Sequence, residues 1–349
     1  MSSISITDLS VTFADGTVGL DHVDIDVHPE EFVVLVGPSG SGKTTLLRTI
    51  AGFITPSEGS LTIAGEDMTR VPPENRRMGM VFQQHAVWPH MSVDKNVAYP
   101  LKRAGVGRAQ ISTRVQRALS LVGLDGFGNR KPASLSGGQR QRVALARAVV
   151  ADPTVLLLDE ALSALDEPLR DSLRRELVAL TRREGLTTVH VTHDRAEAIA
   201  IADRIVVLDN GRVQQVSTPA ELINAPASAA VASFIGDATL LPATIAGEFV
   251  ECSVLGTAWR RDKVREMATL YPGDTATIAV TPLTVTVVPP ATPGAVDAVI
   301  TSVLFEITSH SITAETPGGQ RFRAHVTGTV PAIGERIGLK ISEPLVYPA

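Results

Sequence analysis

The segment Phe32 to Val36 is apolar without a break and runs into Gly37-Pro38-Ser39-Gly40-Ser41-Gly42-Lys43-Thr44. That octet fits G-x-x-x-x-G-K-[ST], and the residues behind it, Thr44 to Ala51, read as a helix. A buried strand, a glycine-rich turn and a helix in this order leave few folds open. The glycines let the backbone curl so that several N–H groups face one anion. The helix adds its positive end at the same place. Lys43 brings a full charge for the β and γ phosphates of a nucleotide, and the Thr44 hydroxyl is suited to Mg²⁺ bridging them. The preceding strand and following helix are the context that separates this motif from a Gly/Ser-rich surface loop with a stray lysine.

Short, fully apolar runs recur at Val155 to Leu158, Thr188 to Val191 and Ile205 to Leu208, with helical patterns at Gly138 to Ala151, Leu169 to Glu184 and Ala196 to Ala202 between and beside them. Apolar strands separated by helices predict a mostly parallel sheet covered on both faces. Ile4 to Phe13 and Val18 to Val27 alternate as half-buried strands do. After Asp237 the texture changes: long helical patterns vanish, and Pro, Gly and Thr become frequent. Strand-like runs follow at Thr275 to Val280, Leu283 to Val288, Ala295 to Phe305, Ile307 to Glu315, Gln320 to Val326 and Glu335 to Ile341, with a hairpin-type turn at Thr316-Pro317-Gly318-Gly319. A chain of 349 residues is expected to hold two domains. The expected division is an α/β P-loop NTPase domain over 1–236, and a small β-barrel or sandwich over 237–349.

Three more segments narrow the reading. Leu135-Ser136-Gly137-Gly138-Gln139 opens a long helix. Val155 to Glu160 ends a buried strand in two acids. Val191-Thr192-His193-Asp194 ends another in a histidine. With these in the same order, the chain resembles ATP-binding cassette (ABC) ATPases from about Ile4 to Ile235. The resemblance implies an ABC ATPase core with a helical subdomain at about 84–150. It implies binding of ATP and Mg²⁺ through Gly37, Pro38, Ser39, Gly40, Ser41, Gly42, Lys43, Thr44 and Thr45. Asp159 looks like the acid that holds Mg²⁺ together with Thr44 and Gln83. Glu160 looks like the general base for the attacking water, a role a carboxylate beside the γ-phosphate suits. His193 looks like the switch histidine that orients that water. Phe13 stands where the family has an aromatic stacking on adenine; a core phenylalanine is the competing reading. Ser136, Gly137, Gly138 and Gln139 are implied to complete the site of a second copy, and Asp166, in Ser163-Ala164-Leu165-Asp166, to couple the two sites. The family usually has proline after the glutamate; here it is Ala161, so looser local geometry is expected with no reacting group lost. His22, His28, His85, His90, His190, His310 and His325 are read as structural or exposed.

Both halves of a composite site stand in one sequence, so a homodimer is the simplest assembly, with a heterodimer left open. The segment His85 to Val93 with Asn96-Val97-Ala98 is similar to importer ATPases for ferric iron, polyamines, sulfate or sugars, which implies a transmembrane permease as partner and a solute-binding protein indirectly. Trp88 then suits a docking groove, against the alternative of ordinary core. The β-rich tail resembles the OB-like (TOBE) regulatory domain of these importers: Leu240-Leu241-Pro242 fits its entry, but Thr281-Pro282-Leu283 replaces the usual Arg-Pro-Glu. A net charge of −5 speaks against nucleic acid as the main partner. A soluble ABC ATPase acting on nucleic acid or ribosomes stays open as the alternative, since OB-like barrels can bind single strands. Cys252 is the lone cysteine, which excludes an intrachain disulfide. No apolar run reaches the roughly 18 residues a spanning helix needs, and Met1 to Ser5 lacks the basic start of a signal peptide. The expected location is peripheral, on the cytoplasmic face of a bacterial inner membrane.

Overall fold

The computed structural model describes residues 4–84, 86–162, 167–306 and 308–349. They form two compact units, Met1–Pro219 and Ala220–Ala349. In the first, the described residues include a sheet in the order Arg212–Ser217, Arg204–Asp209, Phe32–Val36, Thr187–Val191, Val155–Asp159, Met78–Val81. All neighbours are parallel except the antiparallel edge strand Arg212–Ser217. Every residue of Phe32–Val36, Val155–Asp159 and Thr187–Val191 is buried, as strands covered on both faces must be. A second, antiparallel sheet has the order Val18–Val27, Ile4–Thr12, Glu58–Ile63, Glu66–Asp67. One apolar core joins the two sheets through Leu9, Leu20, Leu46, Leu61, Leu157 and Leu208.

Register is what gathers the site. Leu35 pairs with Val191, and Val191 with Asp159. The carboxyl ends of the three central strands therefore lie side by side, and Gly37, Glu160 and Thr192 leave the sheet at one edge, where open α/β sheets bind ligands. Helices Val93–Arg103, Arg108–Leu121 and Gly137–Val149 pack on one another within the expected helical stretch.

Glu58–Ile63, Glu66–Asp67 and Arg212–Ser217 were not among the expected strands, and Met78–Val81 is the strand ahead of Gln83. Glu58–Ile63 opens on Glu-Gly-Ser, which hides its alternation. Met78–Val81 carries Gly79, where a Cβ would meet the Ala148 carbonyl at 2.3 Å; the glycine lets a helix backbone lie against the strand. The expected strand Ile4 to Phe13 ends at Thr12, because the Phe13 N–H donates to the Thr17 carbonyl at 2.9 Å in a tight turn.

The second unit is two sheets around one core. Their orders are Thr257–Arg260, Phe249–Cys252, Thr239–Ala246, Thr275–Val280, Leu345–Pro348, Arg265–Glu266, and Val285–Val288, Arg336–Ile341, Val296–Glu306, Ser309–Glu315, Arg321–Val326. Ile245, Ile278, Ile300, Phe322 and Leu339 meet between them. Expected strands were right in place and shifted at their ends; Pro282–Thr284 is a 3-10 turn ahead of Val285–Val288. The unit starts at Ala220, before the expected 237. Helix Ala229–Gly236 belongs with it: Ala232 packs with Ala279, Leu345 and Tyr347, and the Tyr347 hydroxyl donates to the Pro226 carbonyl at 2.9 Å. No helix among the described residues is long and apolar enough to cross a membrane.

Candidate nucleotide site

The glycine-rich turn leaves the sheet between neighbours too close for side chains. A Cβ on Gly37 would sit 2.1 Å from the Leu208 carbonyl oxygen. Gly42 has φ +100°, and a Cβ there would lie 2.6 Å from the Gly19 oxygen. The Gly211 N–H donates to the Ser41 carbonyl at 3.1 Å and ties the turn to the adjacent hairpin. Helix Lys43–Ala51 has Gly42 as its N-cap, with no side chain capping it and no acid in its first turn. Its first amides and positive end thus face outward, as an anion site requires. Pro38, Ser39 and Gly40 are exposed, and Thr44 and Thr45 half-buried.

The Lys43 ammonium donates to the carbonyls of Gly37 at 2.8 Å and Pro38 at 2.7 Å, and to the Ser41 hydroxyl at 3.1 Å. Burial pulls its pKa down, and the charge of Glu160 pushes it back up. Phe13 is 40% exposed. A Cβ on Gly19 would lie 2.7 Å from the Phe13 ring and 3.1 Å from the Thr45 methyl. An uncovered aromatic ring therefore stands beside the first turn of the phosphate-loop helix, and the core-phenylalanine reading falls.

Opposite stand the acids. Asp159 is buried at its strand end; burial raises its pKa, and Arg48 works against that. Glu160 takes φ +47°, a left-handed conformation rare for a side-chain-bearing residue. Its N–H donates to the Val191 carbonyl at 3.0 Å. Gln83 Nε2 donates to Glu160 Oε2 at 2.8 Å, and His193 Nδ1 stands 3.5 Å from the same oxygen. Gln83, Glu160 and His193 thus converge on one carboxylate oxygen.

Among the described residues, no cluster of three or more His, Cys, Asp or Glu could hold a metal ion by itself. The donors present suit another kind of site. Mg²⁺ keeps waters and takes one or two carboxylates plus substrate phosphates. Asp159 offers one carboxylate, Thr44 a hydroxyl, and Gln83 a carbonyl oxygen, since its amide N–H is spent on Glu160.

Ser136, Gly137, Gly138 and Gln139 form a capping box. Ser136 Oγ accepts from the Gln139 N–H at 3.3 Å, and Gln139 Oε1 accepts from the Ser136 N–H at 3.0 Å. Gln139 therefore braces Ser136, while Gly137 and Gly138 open the helix with their N–H groups. Asp166, with Ser163 to Leu165, and His85 lie outside the described residues.

Gln141, Tyr99 and Arg147 escaped the sequence reading. Gln141 Nε2 donates to the carbonyl of Ala161. The Trp88 ring lies 4.5 Å from Tyr99, with the Arg147 guanidinium 4.7 Å from its centre. Asn96 holds the Trp88 backbone at both its N–H and carbonyl, at 2.8 and 3.2 Å. Trp88 is half-buried and lines a cleft of about 300 Å³ with Met78, Met80, Phe82, Tyr99 and Arg147. Amide pairs such as Gln-Arg-Gln carry no periodic signal, so nothing in the sequence marked Gln141.

The family model for ABC transporters matches residues 20–163. The chain is 48% identical over 256 residues to the spermidine/putrescine import ATP-binding protein PotA of Rubrobacter xylanophilus, covering 73% of this chain and 68% of that protein. It is 49% identical over 243 residues to the sulfate/thiosulfate import ATP-binding protein CysA of Mycolicibacterium paratuberculosis, covering 70% and 67%. Among solved structures it is similar to the ABC cassette MJ0796 in a dimeric post-hydrolysis state bound to ADP and Pi, at 31% identity and TM-score 0.55, covering 62% of this chain and 98% of that one. At this identity and coverage, the chain belongs to the ATP-hydrolysing, ATP-binding subunits of the ABC transporter family.

Proposed function

We propose that this chain drives solute import by hydrolysing ATP between two copies of itself. The observation that carries the reading is the convergence of Gln83 and His193 on Glu160, at the sheet edge where the phosphate loop also emerges. A triphosphate held by the Gly37 to Thr44 amides and Lys43 presents its γ-phosphate to that cluster. Mg²⁺ held by Thr44, Asp159 and Gln83 would offset phosphate charge. Glu160 accepts the proton of the attacking water, and His193 fixes the water's direction. Phe13 stacks on the adenine. The Ser136 hydroxyl and the Gly137 and Gly138 amides of the second copy close over the phosphates, and the segment around Asp166 communicates between sites. The dimer is supported by the dimeric cassette cited above.

The Trp88 cleft suits a short helix of a permease: a half-open aromatic wall held rigid from behind by Asn96 and Arg147. Permease and solute-binding protein would place the chain at the cytoplasmic face of a bacterial inner membrane, held there by its partners. The relatives' names favour a polyamine or an oxyanion such as sulfate as cargo, and ferric iron remains within the same group of importers. The second unit is read as a TOBE-like regulatory domain. The deciding experiment is nucleotide binding and phosphate release by the purified chain with Mg²⁺, alongside Glu160→Gln and Ser136→Ala. Glu160→Gln should keep ATP yet lose turnover, and Ser136→Ala should lose turnover by failing to close the dimer. Near-normal turnover in either variant overturns the reading.

A further inference from the structure

His193 is 65% exposed at its side chain, yet both residues flanking it are locked from beneath. Thr192 Oγ1 donates to Glu197 Oε2 at 2.6 Å and accepts from the Asp194 N–H at 3.0 Å. Asp194 Oδ1 accepts from the Glu197 N–H at 3.1 Å, capping helix Arg195–Ile201. Arg174, on helix Glu167–Arg183, donates to Asp194 Oδ2 at 2.9 Å and lies 3.8 Å from Glu197 Oε1. His190 Nε2 stands 3.4 Å from that same oxygen. Thr192, His190 and Glu197 are at most 3% exposed.

A helix cap alone explains Asp194 and nothing more. It gives no reason to bury a carboxylate and a histidine beside a partly buried arginine, since a buried ionic cluster is weak support for stability and apolar side chains of equal volume would serve as well. What such a cluster does supply is one fixed arrangement. Here the arrangement is the turn Val191 to Asp194, which carries the His193 imidazole to 3.5 Å from Glu160.

We propose that Glu197, Thr192 and Arg174 are positioning residues for His193, fixing the switch turn so that its imidazole holds its place beside Glu160. This rests on the role given to His193 above. The exposed histidine needs such a brace: a displacement on the order of 1 Å at a reacting group can cost about 100-fold in rate. The interactions join the turn to its two neighbouring helices and not to the phosphate loop, so they affect the rate of the chemical step and not the grip on ATP.

The test is steady-state phosphate release and fluorescent-nucleotide binding by the full chain with Mg²⁺. Thr192→Val keeps the shape and removes the hydroxyl; Glu197→Gln removes the charge. Each should lower kcat on the order of 10–100-fold, with KM for ATP moving less than about twofold and nucleotide affinity unchanged. Thr192→Ser should recover most of the lost rate. In a His193→Ala background the same two substitutions should cost less than about twofold more, because residues acting through one group are not additive. Equal losses in both backgrounds, or KM rising as kcat falls, would overturn the proposal. If Thr192→Val does not fold, Glu197→Gln carries the same comparison. A His193→Ala chain with full turnover would instead remove the assigned role of the histidine, and the positioning claim with it.

Discussion

Gln83 donates its side-chain amide to Glu160 at 2.8 Å, so the residue that leads into the helical subdomain holds the carboxylate assigned to water activation. Glu160 needs holding, because its own backbone is in the left-handed region at φ +47° and its neighbour Ala161 lacks the ring that proline would give. Glu160→Gln preserves an oxygen that can accept from Gln83 and abolishes the basicity. Turnover should fall on the order of 10²–10⁴-fold, the usual range for a lost general base, with ATP affinity kept. Gln83→Ala should lower kcat by less than Glu160→Gln does and weaken the response to Mg²⁺. Phosphate release measured across a Mg²⁺ titration checks both; a Gln83→Ala chain identical to wild type in that titration refutes the link.

Gly42 is a position in the phosphate loop that leaves no room for a side chain. A methyl there would lie 2.6 Å from the Gly19 oxygen at φ +100°, so both strain and collision oppose it. Gly42→Ala should cost about 1–3 kcal/mol through strained backbone alone, read as a lower midpoint of thermal unfolding. It should also abolish nucleotide binding, because the first helical amides move. Gly40, by contrast, has open space around its missing Cβ, and Gly40→Ala should lose less on both measures. A Gly42→Ala chain that binds ATP normally would show the loop to be adaptable where the structure makes it rigid.

The parallel sheet and the phosphate loop were legible because fully buried strands write themselves as unbroken apolar runs, and because the chemistry of anion binding needs glycine, lysine and threonine at fixed offsets. Asp159, Glu160 and His193 were assigned only through family resemblance; strand register explains why their strand ends lie side by side, and no local pattern states it. The tail's outer strands escaped because short antiparallel strands such as Phe249–Cys252 and Thr257–Arg260 give two alternations at most. Helix Ala229–Gly236 gave no local cue to its unit: what it packs on, Tyr347, is far along the sequence. Gln141, Arg174 and Glu197 act through side-chain bonds to other elements, and periodicity is blind to those.

Gln141 links two places that resemblance treats separately. It is buried on the helix that Ser136 caps, and its amide donates to the carbonyl of Ala161, next to Glu160. The corner that would grip the second copy's nucleotide is thereby tied to this copy's own catalytic loop. Gln141→Leu, close in volume and without the donor, leaves the Ala161 carbonyl unpaired in the interior, at a cost of about 1–3 kcal/mol. Cooperativity of ATP hydrolysis should fall along with kcat, while monomer affinity for ATP holds. Rate against ATP concentration, fitted for its Hill coefficient, reads this directly; an unchanged coefficient with reduced kcat would assign Gln141 to packing only.

The Glu197 carboxyl gives the fold a defined acid sensitivity. Burial raises its pKa, but His190, Thr192 and Arg174 together outweigh that and hold it below the ordinary glutamate value. A depressed folded-state pKa means the unfolded chain binds the proton more readily. The stabilisation is therefore complete above the unfolded pKa of about 4.5 and disappears as pH falls through the lower folded value. Glu197→Gln has no such titration. Its deficit against wild type should be largest at pH 6–7 and shrink as the solution is taken below about 4.5. Urea unfolding of both chains at stepped pH measures the deficit. A gap that stays constant or widens on acidification would mean that the carboxylate is not stabilised by these three partners, and that its burial is a cost the switch turn carries at every pH.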